Sequence, residues 1–214
     1  RGRANRDRLR DRIERGGEGF DNIAGMVGWE NIIMSTLNTP ANKRFEGMTV
    51  QDIAKARGND PINCVCDMLI EENCAITMID FITCEEDIAR ILNCGFASVI
   101  SDSIYPTSGR PHPRLYGTYA RIIQRFVGER RDMTLEAAVK AMTYTPAKAL
   151  NIAELKEGLC ADVNVFDPAE VKERGSYADP DKCAAGMDYV FVNGKPAIAA
   201  GELTGGAFGQ VIRR

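Results

Sequence analysis

The spacing of apolar residues predicts a chain in which helices and short strands alternate. Residues 48–58 (MTVQDIAKARG) and 61–73 (PINCVCDMLIEEN) have helical spacing, with Thr49 as the N-cap of the first helix and Pro61 opening the second. Residues 29–37 (WENIIMSTL) form a short apolar run, which indicates a buried strand.

Between residues 74 and 102 the pattern changes from strand to helix and back to strand. Residues 74–81 (CAITMIDF) and 97–102 (ASVISD) are apolar runs of strand length. Residues 84–94 (CEEDIARILNC) have helical spacing, with Thr83 in the N-cap position. This order predicts a parallel βαβ unit, because two parallel strands need a crossover that is usually a helix.

The pattern then divides the chain into two regions. A loop rich in Pro, Gly and Ser at 103–113 is followed by further helical patterns at 115–129, 135–142 (with Thr134 as N-cap) and 145–151. From residue 158 onward short β-rich runs take over, at 161–168, 187–203 and 209–214, and the Asn-Gly pair in VNGK predicts a hairpin. We therefore expect an α/β region at 1–157 and a small β-rich region at 158–214.

Composition is that of an ordinary soluble globular protein. The 214 residues carry 27 Lys+Arg and 30 Asp+Glu, a net charge of -3, so no general attraction to nucleic acid is expected. The seven arginines at positions 1–15 alternate with acids, which favours a solvated helix over a nucleic-acid arm. With no membrane-length apolar run and no signal-peptide core, we predict a cytoplasmic protein without membrane partners.

The cysteines and the first residue of the chain bear on which metal sites and which complete protein the sequence can represent. Seven cysteines fit reduced core thiols, and Cys64 and Cys66 lack the CxxC spacing of metal sites. The chain begins with Arg1 instead of Met and contains a single histidine, His112. Together these two features predict a piece of a longer protein.

The segment SDSIYPTSGRPHPRLYGTYARIIQRF (101–126) carries a family resemblance. With the later segments KEGLCADVNVFDP and VFVNGK, it resembles the C-terminal part of the D-aminoacylase family, the N-acyl-D-amino-acid deacylases of the amidohydrolase superfamily. PHPRLYGT is the most specific of these motifs. The resemblance implies an α/β fold, namely the C-terminal part of a (β/α)8 barrel ending at strand 97–102, followed by a small β-sandwich segment.

The resemblance also implies a chemistry. Amide hydrolysis needs an activated water and a proton for the departing nitrogen, and in this family zinc activates the water. Asp102, at the end of the last predicted barrel strand, would be the general base and acid. The zinc ligands of the family belong upstream of Arg1, so we expect none of them in this chain.

Three residues in the loop and helix that follow Asp102 in the sequence are candidates for substrate binding. By the resemblance, Arg114 of the PHPR motif would grip the α-carboxylate of the substrate, and Arg110 is the competing clamp. His112 lies between Pro111 and Pro113, which suits a loop that lines the substrate better than a metal ligand.

The expected function is that of a C-terminal part of a zinc-dependent hydrolase acting on small N-acyl-D-amino acids, inactive when isolated. Two alternatives stay open: a non-catalytic assembly or binding module, and a cyclic amidase similar to hydantoinase or dihydroorotase. Half a barrel would expose a strand edge, so we also expect a homo-oligomer.

Overall fold

The computed structural model describes residues 2–105, 108–151 and 156–211 and divides them between two units. The first unit comprises the described residues up to 83 together with 104–112 and 177–180. The second comprises 84–103, 113–176 and the described residues from 181 onward. The boundary at 112/113 falls inside the PHPR motif, so the candidate residues are shared between the units.

The first unit packs helices against a two-stranded sheet. Its α-helices are α1 (Arg3–Arg15), α2 (Ile23–Val27), α3 (Val50–Ala56) and α4 (Pro61–Glu71), and its strands are β1 (Ile32–Thr36) and β2 (Thr77–Asp80). Its core contains the fully buried side chains of Leu37, Val50, Ile53 and Met68. Burying these apolar groups is the main favourable contribution to the stability of the unit.

Helix boundaries in the first unit follow the signals in the sequence. The Thr49 side chain accepts a hydrogen bond from the Asp52 amide and caps α3, and Pro61 opens α4. The arginine-rich α1 buries no residue and docks through ion pairs from Arg6 to Asp67 and from Arg10 to Asp60. This confirms the predicted solvated helix.

The second unit combines a helical part with an antiparallel sheet. Its α-helices are α5 (Glu85–Leu92), α6 (Arg114–Arg121), α7 (Leu135–Met142) and α8 (Tyr144–Leu150), and α6 continues as a π-helix over Ile122–Glu129. The sheet has the order β3 (Val163–Phe166), β4 (Met187–Val192), β5 (Lys195–Ala199) and β6 (Glu202–Leu203). Among the described helices none is both long and apolar enough to cross a membrane.

The predicted parallel βαβ unit is wrong in this structure. Residues 97–102 form no strand; Val99 is buried, and its amide donates to the carbonyl of Ala141 at 3.0 Å. The pair β1 and β2 is antiparallel. A short apolar run signals burial, but a strand also needs a neighbouring backbone, which the run does not specify. Thr83 is not the N-cap of α5 either, since that position belongs to Cys84.

The predicted hairpin is confirmed between β4 and β5. Asn193 and Gly194 have φ angles of 52° and 73°, the left-handed values that a type I′ turn needs at both central residues. Of the β-rich run predicted at 209–214, residues 209–211 form no strand, and 212–214 lie outside the described residues.

Candidate functional site

Asp102 lies at the end of the segment that follows α5, in a left-handed backbone conformation that Asp adopts more readily than most residues. Its φ angle is 45°, in the left-handed region that few residues other than Gly, Asn and Asp adopt. The side chain is 75% exposed. The Asp102 carboxylate is therefore accessible to solvent and to a ligand.

Arg114 is brought directly to this carboxylate. It is the first residue of α6, and its Nη2 atom lies 3.0 Å from Oδ2 of Asp102. A cation at a helix N-terminus opposes the helix dipole, whereas an anion there is stabilised. The structure thus combines a guanidinium and a helix N-terminus in one place, an arrangement suited to a carboxylate.

The ion pair between Asp102 and Arg114 is open to exchange. The two side chains are 75% and 40% exposed, and ion pairs with this exposure contribute about 0–1 kcal/mol. A ligand carboxylate could therefore take the place of Asp102 on the guanidinium at low cost. Arg114 could then bind the ligand while Asp102 becomes available for proton transfer.

Arg110 lies in the first unit, on a loop tied to the end of β1. Its amide donates to the carbonyl of Ser35 at 2.9 Å, and the Ser35 hydroxyl donates to the carbonyl of Arg110 at 2.6 Å. Ser35 is only 5% exposed, so these bonds are shielded from water. The backbone of Arg110 is therefore fixed, although Arg110 lies in a loop.

His112 is held by aromatic neighbours in the same unit. Its Nε2 atom lies 3.3 Å from the Tyr177 hydroxyl, and the two rings meet edge to face with centroids 5.1 Å apart. Tyr177 in turn packs against Phe81, with centroids 4.8 Å apart. Pro111 and Pro113 are both buried. His112 is thus a half-buried side chain held by Tyr177 within the first unit.

The sequence did not predict the two residues that hold Arg110 and His112 in position, Ser35 and Tyr177. Ser35 belongs to a strand, and Tyr177 follows an irregular stretch far along the chain. Neither lies in a motif, and their contacts with Arg110 and His112 span 75 and 65 residues. No signal in the sequence could have identified them, because only the tertiary fold creates these contacts.

The cysteines differ from the expected core thiols. Within the described ranges, Cys64 is buried and Cys66 is half-buried, whereas the remaining five cysteines are exposed; all seven are free thiols. Burial raises the pKa of the Cys64 thiol, so it stays protonated in the core. The apolar character of cysteine does not distinguish core positions from surface positions, which is why the expectation of core burial was wrong for the five exposed cysteines.

The described part of the chain contains no group of three or more His, Cys, Asp or Glu side chains that could hold a metal ion. Structural and catalytic zinc sites ordinarily use at least three such protein ligands. The candidate residues in the second unit are therefore an exposed carboxylate and guanidinium pair, and those in the first unit lie on a hydrogen-bonded loop.

The chain is similar in sequence to two deacylases. No protein-family model matches the chain. The chain is 33% identical over 173 residues to the D-aminoacylase of Alcaligenes xylosoxydans xylosoxydans, and the match covers 79% of this chain and 34% of the relative. It is 34% identical over 165 residues to the N-acyl-D-glutamate deacylase of the same organism, which covers 76% and 32%. The chain thus spans about a third of the length of these relatives.

A solved structure is similar as well. The N-acyl-D-glutamate deacylase of Bordetella bronchiseptica was crystallised with zinc and a phosphonate that mimics the tetrahedral intermediate. It matches with a TM-score of 0.76 and 34% identity, over 86% of this chain and 38% of that protein. This likeness confirms the predicted α/β fold class.

Proposed function

Because the chain belongs to the D-aminoacylase family, we propose that it is the C-terminal part of a zinc-dependent amidohydrolase that converts N-acyl-D-amino acids to a D-amino acid and a carboxylate. The family relationship and the Asp102–Arg114 pair at 3.0 Å together support this proposal. The pair carries it, because it joins a proton acceptor and a carboxylate clamp on one exposed site. The relatives are deacylases, so a non-catalytic module or a cyclic amidase is not favoured.

In this proposal Asp102 moves the proton of the reaction. The oxygen of a water attacks the acyl carbon, and the carboxylate of Asp102 accepts the proton that the water loses. Asp102 then delivers this proton to the amide nitrogen as the C–N bond breaks. The products are the free carboxylate and the D-amino acid, and Asp102 is again ionised. Its 75% exposed carboxylate leaves the access that both transfers need.

Arg114 binds and orients the substrate. Its planar guanidinium can form two parallel hydrogen bonds to the α-carboxylate, which fixes direction as well as distance. The start of α6 adds a favourable helix dipole for the same anion. When the substrate takes Arg114, Asp102 gives up its partner and faces the reacting amide.

The residues of this chain do not fit a metal site on their own. The described ranges offer no three-ligand group, so the zinc of the proposed enzyme would be held by other parts of the complete protein. What this chain contributes is the proton carrier and the clamps Arg114 and Arg110, with His112 lining the substrate.

The remaining parts of the proposal concern the complete protein. We propose that residues 1–157 contribute to a (β/α)8 barrel and residues 158–214 to a small β-sandwich domain. The four-stranded antiparallel sheet β3-β4-β5-β6 supports the second assignment. We further propose a cytoplasmic homo-oligomer acting on a small-molecule substrate, without nucleic-acid or membrane partners.

The exchange Asp102→Asn in the complete protein tests the proposal. Asparagine tolerates the left-handed backbone of this position but cannot accept the proton, so kcat should fall by about 10²- to 10⁴-fold on an N-acetyl-D-amino acid. Asp181→Asn, at an exposed position, is the matched control and should retain full turnover. The isolated 214-residue chain should show neither turnover nor stoichiometric zinc. Unchanged kcat in Asp102→Asn would refute the assigned role.

A further inference from the structure

The loop that carries Arg110 is fastened to β1 together with a second, separate loop. Two consecutive residues of the strand hold them: the carbonyl of Met34 accepts from the amide of Gly47 at 2.8 Å, and the carbonyl of Ser35 accepts from the amide of Arg110 at 2.9 Å. Gly47 and Arg110 are thereby fixed against the same short stretch of backbone.

Gly47 leaves the space that the Arg110 side chain occupies. A Cβ atom at Gly47 would lie 2.6 Å from Nη1 and 3.3 Å from both Cδ and Cζ of Arg110. A contact of 2.6 Å requires a shift, and the atom that can move is the end of the flexible Arg110 side chain, so a larger residue at position 47 would displace the guanidinium. Gly47 also has a φ angle of +84°, which favours glycine independently.

Gly109 allows the same loop to approach β1. A Cβ atom there would lie 2.6 Å from Oγ1 of Thr36 and 2.9 Å from the carbonyl oxygen of Ser35, and the φ angle is +96°. Gly109 and the buried Ser35 thus define the backbone position of Arg110, and Gly47 leaves space for its side chain.

The charge of Arg110 is not neutralised inside the described residues. No ion pair of its guanidinium occurs in that part of the chain. The nearest acidic residue in sequence to Gly47, Glu46, is already engaged: its Oε1 atom accepts from the Leu37 amide at 2.8 Å and from Lys43 Nζ at 2.9 Å. Arg110 is therefore an exposed cation on a hydrogen-bonded backbone, whereas Arg114 already pairs with Asp102.

We propose that Arg110 is a second carboxylate-binding residue and that Gly47 is a specificity-determining position, because its missing Cβ leaves the room that the Arg110 guanidinium occupies. A guanidinium binds a carboxylate through two parallel hydrogen bonds, and the hydrogen-bonded backbone of Arg110 reduces the entropy that the loop loses on binding. The carboxylate can be the α-carboxylate or an acidic side chain of an acyl amino acid. The choice of an acyl amino acid as the ligand rests on the proposed function, whereas the binding of a carboxylate by Arg110 does not.

Binding to the 214-residue chain tests this inference without turnover. The Nε–Hε NMR signal of Arg110 is followed while N-acetyl-D-glutamate or the neutral-side-chain analogue N-acetyl-D-glutamine is added, with inorganic phosphate as a third probe. Arg110→Gln identifies the signal and removes the clamp. Gly47→Ala should weaken binding about tenfold or more, the loss of about 1.4 kcal/mol that corresponds to a tenfold change.

The control isolates the steric effect from backbone strain. Gly58 also has a positive φ angle, +63°, but a Cβ atom there meets nothing within 4 Å. Gly58→Ala should therefore leave the affinity unchanged. If Gly47→Ala unfolds the chain, Arg110→Gln still decides, because it changes no backbone position.

The outcomes separate the inference from the proposed function. Arg110-dependent binding of N-acetyl-D-glutamate alone supports a side-chain carboxylate, and equal binding of both analogues supports the α-carboxylate. Binding of neither, or tighter binding of phosphate, overturns the inference. In the complete protein, hydrolysis with KM unchanged by Arg110→Gln also overturns it. Arg110-dependent binding, together with no hydrolysis of N-acyl-D-amino acids by the complete protein, would instead overturn the proposed function.

Discussion

Replacing Glu72 by glutamine tests how the first unit holds the loop after β1. The carboxylate is 3% exposed and accepts hydrogen bonds from the Asn38 amide at 2.6 Å, from Nδ2 of Asn42 at 2.8 Å, and from both the amide and the hydroxyl of Thr39. Burial alone would raise its pKa, but these donors outweigh burial and lower the pKa of Glu72 to about 2. A glutamine would direct an amide N–H₂ group at one or more of these donors.

The magnitude follows from the pKa. A depression from 4.5 to about 2 corresponds to about 3 kcal/mol of stability that is present only while Glu72 is ionised. Because the folded-state pKa is the lower one, this contribution is complete above pH 4.5. It decreases as the pH falls and is almost lost at about pH 2.

Urea unfolding measures this contribution directly. Trp29 is the single tryptophan and packs against the core of the first unit, so its fluorescence reports on that unit. At pH 7 Glu72→Gln should lower the free energy of unfolding by about 3 kcal/mol, and the difference from the unchanged chain should nearly vanish at pH 2. Glu18→Gln, at an exposed position of the same unit, should have no effect.

Two results would refute this reasoning. One is a loss below about 0.5 kcal/mol at pH 7, which would mean that water satisfies the donors equally well. The other is a loss of the same size at pH 7 and pH 2, which would assign the effect of Glu72→Gln to packing instead of charge.

Two further predictions concern the second unit. Glu85 lies within 3.2 Å of three arginines, and the hydrogen bond from Arg125 is the main cause of its lowered pKa. Glu85→Gln should therefore destabilise the unit by about 1–2 kcal/mol, and less in 1 M salt, as measured by urea unfolding under both conditions. Gly194→Ala should lower the free energy of unfolding by about 1 kcal/mol, as measured by thermal unfolding. A Cβ atom there meets only Ala161, at 3.9 Å, so the penalty comes from the left-handed backbone alone. Unchanged stability would contradict the left-handed turn.

Much of the local structure could be predicted, because local rules determine it. Thr49 and Pro61 begin their helices as expected, and the Asn193–Gly194 turn joins β4 to β5. The family suggested by PHPRLYGT is confirmed by the relatives. Helix capping, turn type and sequence motifs each depend on a few neighbouring residues, so they can be predicted without knowledge of the tertiary structure.

Strand pairing could not be predicted in the same way. The apolar run at 97–102 correctly indicated that Val99 is buried, but its amide bonds to Ala141 instead of a neighbouring strand. The pattern specifies which residues avoid water and leaves open which backbone they meet. The antiparallel pairing of β1 with β2 depends on contacts more than 40 residues apart.

The sequence by itself determined the candidates: Asp102, Arg110, His112 and Arg114 come from one short motif-bearing segment. Only the tertiary structure decided their arrangement. It pairs Asp102 with Arg114, it holds the backbone of Arg110 against β1, and it places Gly47 where a larger side chain would meet the Arg110 guanidinium. The physical reason is that chemical identity belongs to a residue, whereas the partner of a charge is set by distance, which folding alone establishes.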